Sequence, residues 1–526
     1  MTSTRHRRAA AFLPVFTLLV SAAPPARASA DVPPAAFADA GRRAKLLAAL
    51  PAVEKAVAAA VEKKKFPAAA FGVVVDGELV LAKGWGARGT AGGAVDADTV
   101  FRIASMTKSF TALAILRLRD EGKLSLDDAV ARWVPELAGM PRATADSPEI
   151  TIRHLLTHSE GFPEDNPWGD RQLAESDAFL SAMARAGIPF SNAPGVAFEY
   201  SNTGYALLGR VVANVSKMRY RDTVDALILR PLGMTSTYWE ASAVPPGRLV
   251  TGMRLEGETP VEEPLLGDGA FGAMGGLFST VHDLARYTAF FLSAWPPRDD
   301  ADAGPVSRSS RREMQQAARA TGASVRPATD GKPLRLTAGG YGYGLNDRTT
   351  CSFRHVVSHG GGLPGYGSLM LWLPEHGVAL VALANLRYAG WSSIFNDALD
   401  ALAAGGGLKA RVPQPSPALR AAYGAVNGLY AAWDDAAFDA LAADNLVLDT
   451  PKVKRRAEFA DLRAKHGACV PRALEAENAL RGAWTLACER GEIALTVTLA
   501  PTRPPRVQLL EAKSDPAPAA DEPCKP

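Results

Sequence analysis

Apolar residues along this chain fall into patterns that predict strands at both ends of one region and helices between them. Ala68–Val75 is apolar and β-branched, Asp76-Gly77 follows, and Glu78–Lys83 resumes the pattern, which predicts a hairpin. Met106–Glu121 carries Phe110, Leu113, Ala114 and Leu118 on one helical stripe, and Gly122 stops it. A long helical and loop-rich middle follows. Within it, Thr203–Lys217 reads as a helix bearing Leu207, Leu208, Val211 and Val215. Strand patterns return at Gly367–Leu373 and Val378–Ala384, with Pro374-Glu375-His376-Gly377 as the hairpin loop between them. This order predicts an α+β fold: an antiparallel sheet whose first and last strands meet, flanked by helices, with an all-helical subdomain in the middle.

The polar stretch 296–337 reads as a surface excursion, with Arg308, Arg311 and Arg312 on a solvated helix face. Gly405-Gly406-Gly407 and Pro413-Gln414-Pro415-Ser416-Pro417 mark a linker over 406–417. It separates a main domain over 31–405 from a C-terminal α+β unit over 418–526. That unit begins helical, with Trp433, Phe438 and Leu441 at helical spacing. It ends in strands near Thr485–Ala487, Ile493–Leu499 and Val507–Leu510.

A length of 526 residues agrees with more than one core. With 47% hydrophobic and 21% charged residues, the composition is that of a globular protein. The net charge of +3, without a basic stripe interleaved with aromatics, argues against a nucleic-acid partner. Arg5, Arg7 and Arg8, the mostly apolar run Ala9–Ala23, and Ala28-Ser29-Ala30 form the three parts of a secretory signal over 1–30. The apolar run falls short of a spanning helix, so the mature chain is expected to be secreted or periplasmic without stable membrane insertion. Export permits disulfides. Of Cys351, Cys469, Cys488 and Cys524, the pair Cys469 and Cys488 is the best candidate. No CxxC occurs, which argues against a zinc ribbon or a thioredoxin-type site.

The candidate chemistry begins at Ser105-Met106-Thr107-Lys108. A serine hydroxyl needs a base, and residues i and i+3 share a helix face, so Lys108 projects beside Ser105. Lysine serves as a base only where burial or neighbouring charge lowers its pKa. Ser105 also stands where the helix starts, so its N–H is free to face an oxyanion. Alone, this spacing recurs by chance, and an N-cap serine with a surface lysine explains most isolated matches better. Two further motifs change that. Tyr200-Ser201-Asn202 precedes a helix and offers a proton-relaying hydroxyl and an amide. His359-Gly360-Gly361 precedes the strand near Gly367, where small residues admit substrate to the backbone.

In this order and context the three motifs resemble those of the serine β-lactamase and penicillin-binding-protein superfamily, in its class C-like branch. Flanking text agrees: Phe101-Arg102-Ile103-Ala104 before the serine, Ile150-Thr151-Ile152-Arg153-His154-Leu155-Leu156-Thr157-His158 after it, then Pro194-Gly195, Pro231-Leu232-Gly233-Met234 and Gly275-Gly276-Leu277-Phe278-Ser279-Thr280. The resemblance covers roughly 45–400 and implies the β-lactamase/transpeptidase-like fold. It implies that Ser105 is acylated, that Lys108 and Tyr200 share the proton relay, and that Asn202 orients Lys108 and the substrate. It also implies an oxyanion hole from the N–H groups of Ser105 and Gly362, where one lost donor costs ~3–4 kcal/mol. The C-terminal unit resembles small accessory domains appended to such hydrolases. One departure matters: β-lactamases of this branch carry Lys-Thr-Gly where His359-Gly360-Gly361 stands. Histidine supplies a fixed positive charge only when protonated. The resemblance therefore implies a small-molecule or short-peptide substrate (an ester, an amide or a D-amino-acid peptide, with β-lactams less favoured) and no cofactor.

Three other readings are weighed against this one. His154 and His158 at i,i+4 could clamp a metal, but no HExxH glutamate or third ligand accompanies them, so no metal site is expected. No GxSxG elbow, P-loop or convincing dinucleotide fingerprint occurs. A non-catalytic peptidoglycan- or partner-binding protein on the same fold remains the alternative. Retention of Ser105, Lys108 and Tyr200 together speaks against it.

Overall fold

A computed structural model describes residues 31–89, 92–326 and 335–516. The secretory-signal expectation at 1–30 and Cys524 lie outside the described residues.

Helix α1 (Arg42–Lys63) leads into the hairpin β1 (Ala68–Val75) and β2 (Glu78–Gly86). Two short pairs follow in the chain: β3 (Phe101–Arg102) with β6 (Phe278–Ser279), and β4 (Met253–Glu256) with β5 (Thr259–Glu262). Strands β7 (Arg319–Arg326), β8 (Arg335–Tyr341), β9 (Asn346–Thr350), β10 (Val356–Leu363), β11 (Tyr366–Leu373) and β12 (Val378–Ala384) complete an eight-stranded antiparallel sheet. Its order is β2-β1-β12-β11-β10-β9-β8-β7, so the first hairpin meets the last strand.

Both faces of this sheet are covered, which explains why β1 and β12 read as continuous apolar runs rather than alternating ones. Ala70, Val74, Val381 and Leu383 point into the larger core. Phe71, Val73, Leu380 and Ala382 point into the second, closed by α1 and by the helix that follows β12. The helices between β2 and β7 fill the larger core. They are α2 (Thr107–Asp120), α3 (Val130–Trp133), α4 (Ile152–Leu156), α5 (Asn166–Gly169), α6 (Asp177–Ala186), α7 (Asn202–Ser216), α8 (Tyr220–Val224), α9 (Gly272–Gly275), α10 (Val281–Leu292) and α11 (Arg308–Met314). Helix α12 (Ser392–Ala404) follows β12 and packs on α1.

Two expectations are corrected. The stretch 296–337 is not merely a surface excursion, since α11 and β7 lie within it. Arg308 and Arg311 are buried rather than solvated. Arg311 donates to the Phe290 carbonyl, to Ser293 Oγ at 2.8 Å and to Asp302 Oδ1 at 3.0 Å, and stacks 4.0 Å over the Phe290 ring. Arg308 donates to the Asp300 and Ala301 carbonyls. A guanidinium fork satisfied by carbonyls and a carboxylate tolerates burial that bare charge does not. Counting charge along a helix does not reveal those partners.

The C-terminal unit carries α13 (Pro417–Ala431), α14 (Asp435–Leu441), α15 (Asp444–Asp449) and α16 (Lys452–His466). Strands β13 (Cys469–Pro471), β14 (Glu475–Asn478), β15 (Arg481–Cys488), β16 (Glu492–Leu499) and β17 (Val507–Ser514) form its antiparallel sheet. A disulfide joins Cys469 to Cys488 across the β13–β15 pair. Trp433 precedes α14 instead of lying on it, held by Nε1 donation to Asp435 at 2.7 Å while its ring packs on Phe438. The glycines before this unit are not loose chain. A Cβ on Gly407 would stand 2.8 Å from the Arg42 carbonyl of α1, and Val412 bridges Ala36. Among the described residues, no helix is long and apolar enough to cross a membrane.

Candidate active site

Ser105 sits in a 3-10 turn, Ala104–Met106, that runs into α2. Ala104 holds φ +49°, a strained conformation for a residue with a Cβ, of the kind concentrated at functional sites. The turn is pressed against β10. A Cβ on Gly361 would stand 2.1 Å from the Ile103 carbonyl oxygen, so this position admits glycine alone. Ser368 Oγ donates to the same carbonyl at 2.8 Å. Strand β10 pairs with β9 only over Val356–Ser358, which leaves the edge of His359–Leu363 beyond it unladdered next to Ser105.

Lys108 is fully buried in the first turn of α2. Its Nζ donates to Ser105 Oγ at 3.2 Å, to Asn202 Oδ1 at 2.7 Å and to the Met274 carbonyl at 2.9 Å. Burial lowers its pKa to about 7, against the opposing pull of the Asp170 and Asp165 carboxylates. Tyr200 is half-buried and lines the same pocket as Ser105, with which its hydroxyl interacts. Burial pushes that hydroxyl above its usual range. The Lys108 ammonium lies 4.8 Å from the Tyr200 ring centre. Asn202 opens α7, whose start is fixed twice over. Ser201 Oγ accepts from the Gly204 N–H at 3.0 Å, and the Asp165 carboxylate accepts from the N–H groups of Asn202 and Thr203.

These residues surround a cavity of about 460 Å³ lined by Ser105, Asn166, Pro167, Asp170, Tyr200, Asn346, His359, Gly360, Gly362 and Tyr388. The tertiary structure thus brings Ser105, Lys108, Tyr200, Asn202, His359, Gly360 and Gly362 together. Gly361 faces Ile103 instead of the cavity.

His359 has a defined tautomer. A carbonyl only accepts, so Nδ1–H donates to the Gly360 carbonyl at 2.6 Å, and Nε2 accepts from the Tyr341 hydroxyl at 3.0 Å. Burial and the nearby Lys108 lower its pKa to about 3. His359 is therefore neutral in the working range and presents no positive charge to a substrate.

Three contributors escaped the sequence reading. The Asp170 carboxyl is 3% exposed and accepts from the Tyr388 hydroxyl at 2.8 Å. Burial raises its pKa to about 6. Asn166 accepts from Asn202 Nδ2 at 3.1 Å. Tyr388, with φ +50°, stands where a Cβ on Gly362 would be, 2.4 Å from its Cδ1. The polar turn residues Asp165-Asn166-Pro167 carry a detectable loop signal, whereas nothing in the sequence singles out Tyr388. His154 and His158 do not form a metal clamp. His154 Nδ1 accepts from the Thr151 N–H and His158 Nδ1 from the Ser201 N–H, and no metal-holding cluster occurs among the described residues.

An antiparallel sheet with helices on both faces, and a serine–lysine–tyrosine cluster at its edge, define a class. Residues 53–405 match the Beta-lactamase family model, and the chain belongs to that family. It is 31% identical to Protein flp of Staphylococcus aureus (strain COL), over 62% of this chain and 61% of that protein. It is 28% identical to Penicillin-binding protein 4* of Bacillus subtilis (strain 168), over 55% of this chain and 61% of that protein. The chain thus spans less than two thirds of the length of these curated relatives. The octameric penicillin-binding protein homologue from Pyrococcus abyssi shares the fold, with a TM-score of 0.56 at 23% identity, over 86% of this chain and 96% of the other. So does a class C beta-lactamase solved with cefoxitin, with a TM-score of 0.53 at 19% identity, over 68% of this chain and 98% of the other.

Proposed function

We propose that this chain is an exported serine hydrolase working through an acyl-enzyme on Ser105. One observation carries the reading: Lys108 Nζ lies buried 3.2 Å from Ser105 Oγ, with its pKa lowered to about 7. A neutral amine at that place accepts the serine proton as Oγ attacks a carbonyl carbon. The Tyr200 hydroxyl, which shares the Ser105 and Lys108 cluster, hands a proton to the leaving group as its bond to the carbonyl carbon breaks. Water then attacks the acyl ester, loses a proton to the same relay and releases the acid, with the proton returning to Ser105 Oγ. The N–H groups of Ser105 and Gly362 are the oxyanion donors in this reading, supported by the place of Gly362 on the open edge of β10 and of Ser105 across the same cavity.

Esters, amides and D-amino-acid peptides fit this site better than β-lactams. The relatives' names speak of penicillin binding and of a beta-lactamase, whereas His359 here is neutral and offers no cation to a substrate carboxylate. Export rests on the three-part signal of 1–30, and the Cys469–Cys488 disulfide fits an oxidising compartment.

The test is covalent labelling by a fluorophosphonate, together with a panel of short p-nitrophenyl esters, D-amino-acid amides and nitrocefin, on wild type and Ser105→Ala. Labelling and ester cleavage in wild type alone are expected, with slow nitrocefin turnover. Absence of any Ser105 adduct would favour the non-catalytic binding protein. Fast nitrocefin turnover without ester cleavage would make the chain a β-lactamase.

A further inference from the structure

The cavity beside Ser105 has an electrostatic character that follows from its walls. Among the described residues lining it, Asp170 is the one that carries a formal charge near neutral pH. His359 is uncharged, because its Nδ1 proton is spent on the Gly360 carbonyl and its Nε2 accepts from Tyr341. Beneath the floor lies Lys108, and the proposed chemistry requires it to be neutral when it takes the serine proton. The competent state of the site therefore has a carboxylate in its wall and no opposing cation in its lining.

Asp170 is held rather than loose. Its Oδ2 accepts from Tyr388, which arches over Gly362, and its Oδ1 lies 3.5 Å from Asn202 Nδ2. Arg387, the basic neighbour of Tyr388 in sequence, is drawn off to Glu263 at 2.7 Å, and Arg171 is exposed outside the cavity. A fixed, nearly buried carboxylate with spare lone pairs attracts a cation and repels an anion, and the low dielectric of the pocket strengthens both effects.

We infer that Asp170 is a specificity-determining residue that selects esters and amides bearing an ammonium group near the scissile carbonyl and disfavours those bearing a carboxylate there. The inference rests on the reading of Ser105 as nucleophile. It adds to that reading which class of substrate the site prefers.

The experiment compares kcat/KM near neutral pH for alanine methyl ester, whose amine is charged, with that for N-acetylalanine methyl ester, in both enantiomers. Wild type is expected to prefer the ammonium ester by about tenfold or more, and D170N to bring the ratio close to one, with most of the change in KM. A wild-type ratio near one, or in favour of the acetylated ester, overturns the inference. So does a D170N variant that slows both esters in parallel, since Asp170 would then only position Asn202. Inhibition of wild type needs no variant: butylammonium should compete with ester substrate more strongly than butyrate, and the reverse order overturns the inference. Wild type that cleaves neither methyl ester nor p-nitrophenyl acetate fails the serine-hydrolase reading itself, a result distinct from cleavage without charge preference.

Discussion

The two sheets of this protein use burial differently. The eight-stranded sheet is covered on both faces, and its strands β1, β11 and β12 are buried along their whole length. The C-terminal sheet buries one face. On β15 and β16, Trp484 and Leu486, and Ile493, Leu495, Val497 and Leu499, point to the α13, α14 and α16 side, while their neighbours keep contact with solvent. A sheet enclosed on both sides can hold Lys108, Asp170 and His359 in a low-dielectric setting, where burial moves each pKa toward the neutral form. A one-faced sheet of this size leaves its charged groups mostly solvated and closes its edge with a disulfide instead. Reactive groups belong to the first arrangement, and the second supplies a stable appended unit.

Removing the buried amine tests that contrast most severely. Lys108→Ala should reduce ester kcat/KM by at least about a thousandfold. In wild type, activity should rise with pH through about 7 as Lys108 loses its proton, which a pH–rate profile reads directly. A flat profile between acid and neutral pH would mean that Lys108 is not the base.

The disulfide should matter to stability and not to chemistry. Replacing Cys469 and Cys488 by serine opens a loop of 19 residues and should cost the C-terminal unit ~3 kcal/mol in denaturant unfolding. Ester turnover by the folded fraction should stay as in wild type. Loss of turnover with the fold intact would show that the two units are coupled.

A last effect, on the pH dependence of stability and not on turnover, concerns Glu160, wholly buried behind the site, with its pKa raised well above the usual carboxyl value by burial. The folded state then holds a proton that the unfolded chain releases near the ordinary value of about 4.3. Wild-type stability should therefore fall as pH rises above that value, by up to about 1.4 kcal/mol per pH unit until the native pKa is passed. Glu160→Gln should flatten this slope and be the more stable protein at neutral pH. An unchanged slope, measured by urea unfolding across pH, would relieve Glu160 of that cost.

Much of the fold was legible before the structure because periodicity is local. The β1–β2 hairpin, α2, α7 and the β11–β12 hairpin each announce themselves through the spacing of their own side chains. The meeting of β1 with β12 followed from the order of elements, with strands at both ends of the region and helices between, and the structure pairs the two antiparallel. Ser105 and Lys108 were legible for the same reason, as an i,i+3 pair, which the structure spreads over the 3-10 turn and the first turn of α2. Tyr200, Asn202 and His359 were legible as motifs and not as geometry.

The tertiary structure decided whatever depends on partners distant in the chain. Arg311 and Arg308 look like solvated charges until Phe290, Asp302 and the 300–301 carbonyls are folded around them. His359, whose Nδ1 proton is held by the adjacent Gly360 carbonyl, accepts at Nε2 from Tyr341, two strands over in the sheet and eighteen residues away. Asp170 meets Tyr388 across 218 positions of sequence, and neither has a motif to mark it. Residue types and periodicity specify which surfaces are buried, because that information lies within a few positions of each residue. Protonation state, hydrogen-bond partner and the sign of the charge facing a substrate depend on what the folded chain brings within 3–4 Å.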